Sequence, residues 1–362
     1  MHNVRITIKV GSNVLTRPDG TLNVERMEHL VAEIAELHKA GHKVIFVSSG
    51  AMAAGRTLAK NYKHLEPVAQ RQLLSSIGQV KLIDQYKRIF DCHNIFIGQI
   101  LVTKQDFRTR EHYLNMKSCI HTLWENGVIP VVNENDAISV TGLMFTDNDE
   151  LSGLMASMLD CDKLFILSNV DGIFDGNPSE PNSKVIREIG CRQNVSKYMQ
   201  VSKSSFGRGG MQTKCHSAQK TAASGIDVYI ANGTRDGVIT NLANGNPDFV
   251  STHFIAGERI PAVKKWIAYS EGFTKAEVVV NEGAKNALLS HKKAASLLFS
   301  GIVTILGEFK AKDLLTIRDE AGTYLGVGCS TMDSDKARAH VGGHNLKPLI
   351  HYDYLYIDND LI

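Results

Sequence analysis

Two lysines stand in segments suited to meeting an anion. Lys9 is the last residue but one of the apolar run Val4–Val10, with Gly11-Ser12 after it, and Lys214 closes Gly207-Arg208-Gly209-Gly210-Met211-Gln212-Thr213-Lys214. A lysine at a strand end is a compact point charge that can reach a phosphate, and Gly11 allows the backbone to come close to an anion. Taken alone, Lys9 is no more than an exposed strand-end lysine before a turn. The second segment says more. Three glycines expose backbone N–H groups that can wrap phosphate oxygens, and a helix and a lysine follow at once.

Two further segments are polar and sit after apolar runs. Ser48-Ser49-Gly50-Ala51 opens a small-residue helix through Gly55; it reads equally as a serine cap and as a helix-start site for a carboxylate. Asn133-Glu134-Asn135-Asp136 is followed shortly by Thr146-Asp147-Asn148-Asp149-Glu150. So many carboxylates crowded at one place call for a cation. An α-ammonium group would serve, as would Mg²⁺, which takes oxygen ligands and keeps several waters; solvated polar turns are the plainer alternative. The spacing is not that of an EF-hand, no GxxxxGK[ST] P-loop is present, and no GxGxxG follows the first strand.

These segments need elements to hold them. Val4–Val10 reads as a buried strand. A helix carries Val24, Met27, Leu30, Val31, Ile34 and Leu37 on one stripe, between a capping Asn23 and a closing Gly41, and Val44–Val47 is a second strand. The alternation continues with a helix over 69–90 (inward face Leu73, Leu74, Ile77, Val80, Ile83, Phe90) and a strand over 95–102. Next come a helix over 111–124, a strand over 128–132 containing Pro130, a helix over 151–159 and a strand over 163–167. A helix over 211–223 and a strand over 228–231 complete the series. This predicts an open, mainly parallel sheet sandwiched by helices, with ligands beyond the carboxyl ends of the strands, where all four polar segments fall. Residues 257–272 read as a linker with an ordered piece around Trp266. Beyond them, short strand-like runs (278–280, 296–305, 314–318, 324–328) and one helix near 284–291 predict a small, mostly-β, barrel-like domain. The tail, His351–Ile362, is rich in Tyr and Asp and suggests no role.

Bulk composition narrows the classes. A chain of 362 residues, 43% hydrophobic and 22% charged, is long enough for two well-cored domains. A formal charge of +2 provides no overall field for nucleic acid or an anionic membrane. The six cysteines include no CxxC pair and fit a reducing compartment. With no signal-peptide pattern and no apolar run near the roughly 20 residues of a membrane helix, the expected location is the cytoplasm.

Taken together, IKVGSNVLT, VSSGAMAAGR, QLLSSIGQ, VVNENDA, the DND triplet and GRGGMQTK resemble the amino acid kinase family, in its glutamate-phosphorylating branch, over nearly the whole chain. The C-terminal region resembles a PUA domain. The resemblance implies a catalytic domain over 1–256, a linker over 257–272 and a PUA-like domain with its tail over 273–362. It implies ATP-dependent phosphorylation of the γ-carboxylate of L-glutamate to γ-glutamyl phosphate, the first step of proline biosynthesis, with Mg²⁺ accompanying ATP. Lys9, Lys214 and Asp149 would be catalytic, Asp149 organising the two lysines. Ser49, Asp136 and Asn148 would bind the substrate. Lys9, Ser168, Asn169, Arg208, Gly209, Gly210, Met211, Gln212, Thr213 and Lys214 would bind ATP, and no residue is assigned to a metal. Arg208, Asn169 and Glu150 depart from the family pattern. A homo-oligomer and feedback inhibition by proline, sensed near the loop 137–145, are further implications. An alternative is a kinase of another small carboxylic amino acid. A second is an RNA-binding protein acting through the PUA-like domain, but residues 271–362 carry ten Lys+Arg against twelve Asp+Glu, too acidic for a strong RNA binder.

The chemistry expected of such a site is simple. A glutamate side chain, with a reference pKa of about 4.3, is already an anionic nucleophile at neutral pH. No general base is needed. The difficulty is bringing an anion to the charged end of ATP, which calls for alignment and charge neutralisation.

Overall fold

The computed structural model describes residues 3–59, 62–139, 144–145, 147–177, 180, 182–191, 193, 195, 210–290 and 295–358. The chain divides into two units, Met1–Arg259 and Ile260–Ile362.

The first unit is built on eight strands: β1 (Arg5–Val10), β2 (Lys43–Ser48), β3 (Ile97–Val102), β4 (Ile129–Glu134), β5 (Lys163–Ser168), β6 (Glu188–Gly190), β7 (Asp227–Asn232) and β8 (Ser251–Ile255). Their order is β3-β4-β2-β1-β5-β7-β8-β6, and every neighbouring pair is parallel except β7 and β8. The central strands are near-continuous apolar runs because both faces of the sheet are covered. The covering helices are α1 (Ser12–Leu15), α2 (Val24–Lys39), α3 (Ala51–Arg56), α4 (Pro67–Asp91), α5 (Arg110–Glu125), α6 (Asn148–Met158), α7 (Met211–Ala223) and α8 (Val238–Asn244). Asn23 caps α2, its side chain accepting from the Arg26 N–H at 3.3 Å. The main elements fall where periodicity predicts them. Three do not announce themselves: β6 has three residues, α8 two turns, and β8 is a polar-rich Ser-Thr-His-Phe-Ile.

Two details refine the sequence reading. The strand expected over 128–132 forms with Pro130 inside it, as β4, between β3 and β2. Ile129 donates to Phe96 O on the β3 side, so alternation puts the missing N–H of Pro130 on the β2 side. The register Phe46↔Val131 places Val44 O opposite that position. The indole N–H of Trp124 donates to Val44 O instead, at 2.8 Å, so the central strand keeps its ladder satisfied. The other detail is a correction and concerns α4. Leu74 and Phe90 are buried as expected, but Leu73 and Val80 are exposed, and the inward face runs through Arg71, Ser75, Gly78, Gln79, Leu82 and Tyr86. Around Ser75 and Gly78 the face is small because it lies backbone-to-backbone on α3 there, while Leu82 and Tyr86 continue into the apolar core. A Cβ added at Gly78 would come within 1.8 Å of Ala51 O, and one at Gly55 within 2.0 Å of Leu74 O.

The second unit holds a five-stranded sheet of β9 (Ala276–Val280), β10 (Ile302–Leu306), β11 (Leu314–Asp319), β12 (Tyr324–Ser330) and β13 (Ile350–Ile357), in the order β10-β9-β11-β12-β13. β9 and β11 are parallel, the other neighbours antiparallel. A bridge from Leu297 to Ile350 ties the segment before β10 to β13. The stretch read as a linker carries α9 (Ala262–Ala268), which packs on β12 and β13 and buries Trp266 and Ile267. Most of the unassigned tail is β13, with Ile350 and Leu355 in the core of this unit. Asn281 caps α10 (Glu282–Leu289), and α11 (Ser334–Ala339) follows β12.

Candidate active site

β1, β2, β4 and β5 run parallel, so Lys9, Ser48-Ser49, Asn133–Asp136 and Ser168-Asn169 all emerge at one end of the sheet. Above this end lie the N-termini of α6 and α7, and the two helices pack against each other. Asp149, in the first turn of α6, is fully buried. Its two oxygens are divided between two cations: Lys9 Nζ lies 2.5 Å from Oδ1, and Lys214 Nζ lies 2.6 Å from Oδ2. Gly11 runs close beside Lys9: a Cβ there would make an ordinary contact with Lys9 Nζ at 3.5 Å and a tight one with Leu167 O at 3.3 Å.

The electrostatics follow from burial and pairing. Burial alone would raise the Asp149 carboxyl, but Lys9 and Lys214 outweigh it and hold the pKa at about 2. Lys9 goes the other way from an ordinary lysine: burial lowers it, Asp149 offsets part of that, and the charge of Lys214 lowers it further. Lys214 also loses by burial, but Asp149 prevails and raises it. The site therefore holds two ammonium groups on one carboxylate, a net positive arrangement facing the sheet end.

Asn148 marks a second cluster. Its Nδ2 donates to Ser48 O at 3.0 Å and lies 2.9 Å from both Ser49 Oγ and Asn133 Oδ1. The Ser48 carbonyl can only accept, which fixes the amide orientation. The cluster joins β2, β4 and α6. Ser49 precedes α3, whose N-cap Gly50 adopts φ 99°, a left-handed conformation that glycine takes without strain. Asp136 sits half-buried two residues past β4. Glu134, at the end of β4, accepts from the Phe145 N–H at 3.1 Å.

A residue to which the sequence assigned no role connects the two halves. Asp147 caps α6, its Oδ1 accepting from the N–H groups of Asp149 at 2.9 Å and Glu150 at 3.1 Å, while Oδ2 accepts from Thr213 Oγ1 at 2.8 Å. Burial and the neighbouring Asp149 raise its pKa. An aspartate just before a helical pattern is the usual N-cap signal, so its local role was legible; its link to Thr213 was not.

On the other side of β1, Ser168 is buried and Asn169 exposed, their side chains 3.4 Å apart. Asp171 accepts from Asn232 at 2.9 Å and pairs with Arg235 at 2.6 Å. Gly210 is the N-cap of α7, which begins with Met211, Gln212 and Thr213. Arg208 and Gly209 lie outside the described residues, as do residues 140–143 of the loop 137–145. Among the described residues no group of three or more His, Cys, Asp or Glu side chains is placed to hold a metal.

Comparison with known proteins follows the same division. Residues 5–232 match the model of the amino acid kinase family and residues 276–351 that of the PUA domain. The chain is 55% identical over 355 residues to a glutamate 5-kinase of Bacteroides thetaiotaomicron, covering 98% of each chain. It is 47% identical to one of Chlorobaculum tepidum, over 98% of this chain and 97% of the relative. Among solved structures, a carbamate kinase from Giardia lamblia bound to AMP-PNP superposes with a TM-score of 0.50 at 21% identity, over 70% of this chain and 99% of that one. A UMP kinase from Bacillus anthracis gives 0.50 at 16% identity, over 71% and 98%. These two speak for the fold alone.

Proposed function

Because this chain belongs to the amino acid kinase family, and within it to the glutamate 5-kinases, we infer that it transfers the terminal phosphoryl group of ATP to the γ-carboxylate of L-glutamate, giving γ-glutamyl phosphate for proline biosynthesis. The observation that carries the residue-level reading is the meeting of Lys9 and Lys214 on the two oxygens of Asp149.

In this reading Lys9 and Lys214 flank the phosphoryl group in flight. Asp149 holds their side chains in place before substrate arrives, so little reorganisation is left for the transition state. The glutamate carboxylate attacks as it is, without a base. Ser49, Asn148 and Asp136 receive the amino acid. Ser168, Asn169 and the 208–214 segment receive the nucleotide, its phosphates at the N-terminus of α7. Mg²⁺ fits as a companion of ATP rather than as a resident ion: the oxygens of Asp149 already face two ammonium groups, and those of Asp147 accept three hydrogen bonds. Bound to the nucleotide, Mg²⁺ would supply charge neutralisation.

Three finer readings accompany this one. A cavity of about 370 Å³ beside the site is lined by Asp106, Arg108 and His112 together with Ile138 and Ser139 of the loop 137–145, and it is our candidate for proline sensing. Val80 (69% exposed) on α4 and Phe96 (76%) before the edge strand β3 are large apolar side chains in water, which favours a homo-oligomer. No helix among the described residues is long and apolar enough to cross a membrane, and we place the enzyme in the cytoplasm. The test is a hydroxamate assay: ATP, Mg²⁺, L-glutamate and hydroxylamine, with and without proline. Formation of glutamyl hydroxamate, lowered by proline, is expected. No hydroxamate from glutamate, with product from another amino acid, overturns the substrate assignment.

A further inference from the structure

Lys104 Nζ lies 2.7 Å from Glu150 Oε1, with both side chains roughly a fifth exposed. Lys104 opens a 3-10 turn, Lys104–Phe107, that follows β3; Glu150 belongs to the first turn of α6, next to Asp149. Asp106 locks the turn, its Oδ2 accepting from Thr103 N at 2.6 Å and from Thr103 Oγ1 at 2.9 Å. Phe145 is buried against the same turn. Its ring meets the edge of Phe107 at 5.9 Å and has Lys104 Nζ 6.0 Å from its centre. Phe145 also donates its N–H to Glu134. One lysine thus touches the far end of the segment that carries Asp136 and the start of the helix that carries Asn148.

A pair that keeps about a fifth of each side chain in water is still partly screened and adds only about 1 kcal/mol to stability, so folding alone gives it little purpose. Its electrostatic effect is larger. The sheet end already holds Asp136, Asp147, Asp149 and Glu150, and a glutamate substrate brings two more carboxylates. Lys9 and Lys214 answer Asp149; Lys104 answers Glu150. We propose that Lys104 is a positioning residue for the amino-acid substrate: it cancels the charge of Glu150 beside Asn148 and, through Phe145, holds the Asp136 segment against α6. The proposal rests on the reading of this side of the site as the glutamate subsite. It assigns Lys104 no contact with the transferred phosphoryl group.

The test uses the full chain and the hydroxamate assay, with wild type, Lys104→Met and Lys104→Met/Glu150→Ala. Methionine keeps an apolar stem over Phe145 and removes only the charge. Lys104→Met is expected to raise the KM for glutamate about tenfold, the size of one uncompensated charge several ångströms away in a partly wet site. The kcat and the KM for ATP should stay within about twofold, and the added Glu150→Ala should recover most of the lost affinity. An unchanged KM for glutamate, a loss confined to kcat, or a double variant no better than the single one overturns the proposal while leaving the glutamate reading intact. If Lys104→Met fails to fold, Lys104→Gln is read in the same way. Wild-type protein that makes no hydroxamate from glutamate overturns the underlying reading, and this proposal with it.

Discussion

Lys214 meets Asp149 at 2.6 Å across 65 residues of sequence, on the carboxylate oxygen that Lys9 leaves open. The pairing joins the first turns of α6 and α7 to the end of β1. It also sets the order in which the three groups titrate: Asp149 stays ionised far into acid, Lys214 holds its proton beyond the ordinary lysine range, and Lys9 releases its proton early.

Lys214→Ala should keep the fold and lose most turnover, by about 10²–10³ in kcat, the usual loss of one preorganised charge contact. The KM for glutamate should change little, since none of the hydrogen bonds of Asn148 involves Lys214. Steady-state kinetics with both substrates varied checks this, and turnover at the wild-type rate removes Lys214 from the catalytic set.

Acid stability should report on Asp149. Its carboxyl titrates at about 2 in the folded protein, against an ordinary 3.8. A depressed carboxylate contributes stability that is present above about 4 and lost as the pH falls toward 2. Urea unfolding of wild type across this window, followed by a probe in the catalytic unit, should show a steeper decline than Asp149→Asn, which keeps only the contributions of other depressed carboxylates such as Asp227. At neutral pH Asp149→Asn should itself be destabilised by about 3–5 kcal/mol, because two buried ammonium groups lose their shared counter-ion. Matching pH profiles for the two proteins would deny the carboxylate this role.

On the alkaline side the sensitive group is Lys9, buried and repelled by Lys214, with its pKa below the ordinary 10.5. The kcat/KM for ATP, which reports on the enzyme before nucleotide binds, should fall along a limb that begins below that value. In Lys9→Arg the cation no longer titrates, so the limb should move upward even though the absolute rate is lower. A limb that stays in place belongs to another group.

The sequence made the outline of this site legible because its parts are local. A lysine near the end of an apolar run, a glycine segment opening a helix and an aspartate before a helical pattern each announce a position at a strand or helix end. Spacing does not reveal which distant parts meet; only the family resemblance implies that Asp149 organises both lysines. Nothing in the spacing of Lys9, Asp149 and Lys214 shows that both lysines take one carboxylate. The exposure of Leu73 and Val80 was illegible for a related reason: periodicity ranks α4 by hydrophobicity, whereas its packing on α3 selects for the absence of side chains. The strand through Pro130 was legible, but the Trp124 indole that donates in place of its missing N–H was not.

Asn148→Ala should raise the KM for glutamate by about tenfold or more with a smaller change in kcat. The substitution removes an amide that bonds Ser48 O and approaches Ser49 Oγ and Asn133 Oδ1, leaving buried acceptors without a donor at the subsite. An unchanged KM would take Asn148 out of substrate binding.

Gly78→Ala tests whether the α3–α4 contact supports the site. The new methyl would have to occupy space 1.8 Å from Ala51 O and 2.7 Å from Gly55 N, which are backbone atoms that cannot rotate aside. The helices must separate, at a cost of about 3 kcal/mol or more, the upper range for overpacking. Separation moves α3 at its N-terminal end, where Ser49 and the left-handed Gly50 lead into the helix. Ser49 would then shift away from Asn148, which comes from α6 and is held independently by Ser48 and Asn133. The expected result is therefore selective among the folded molecules: a lowered melting temperature, a raised KM for glutamate and a KM for ATP close to wild type, because α7 and the end of β5 do not rest on α3. Calorimetry and two-substrate kinetics on the same preparation check it. A variant with wild-type stability would mean that the helices can part freely, and the small-residue face of α4 would then need a different explanation.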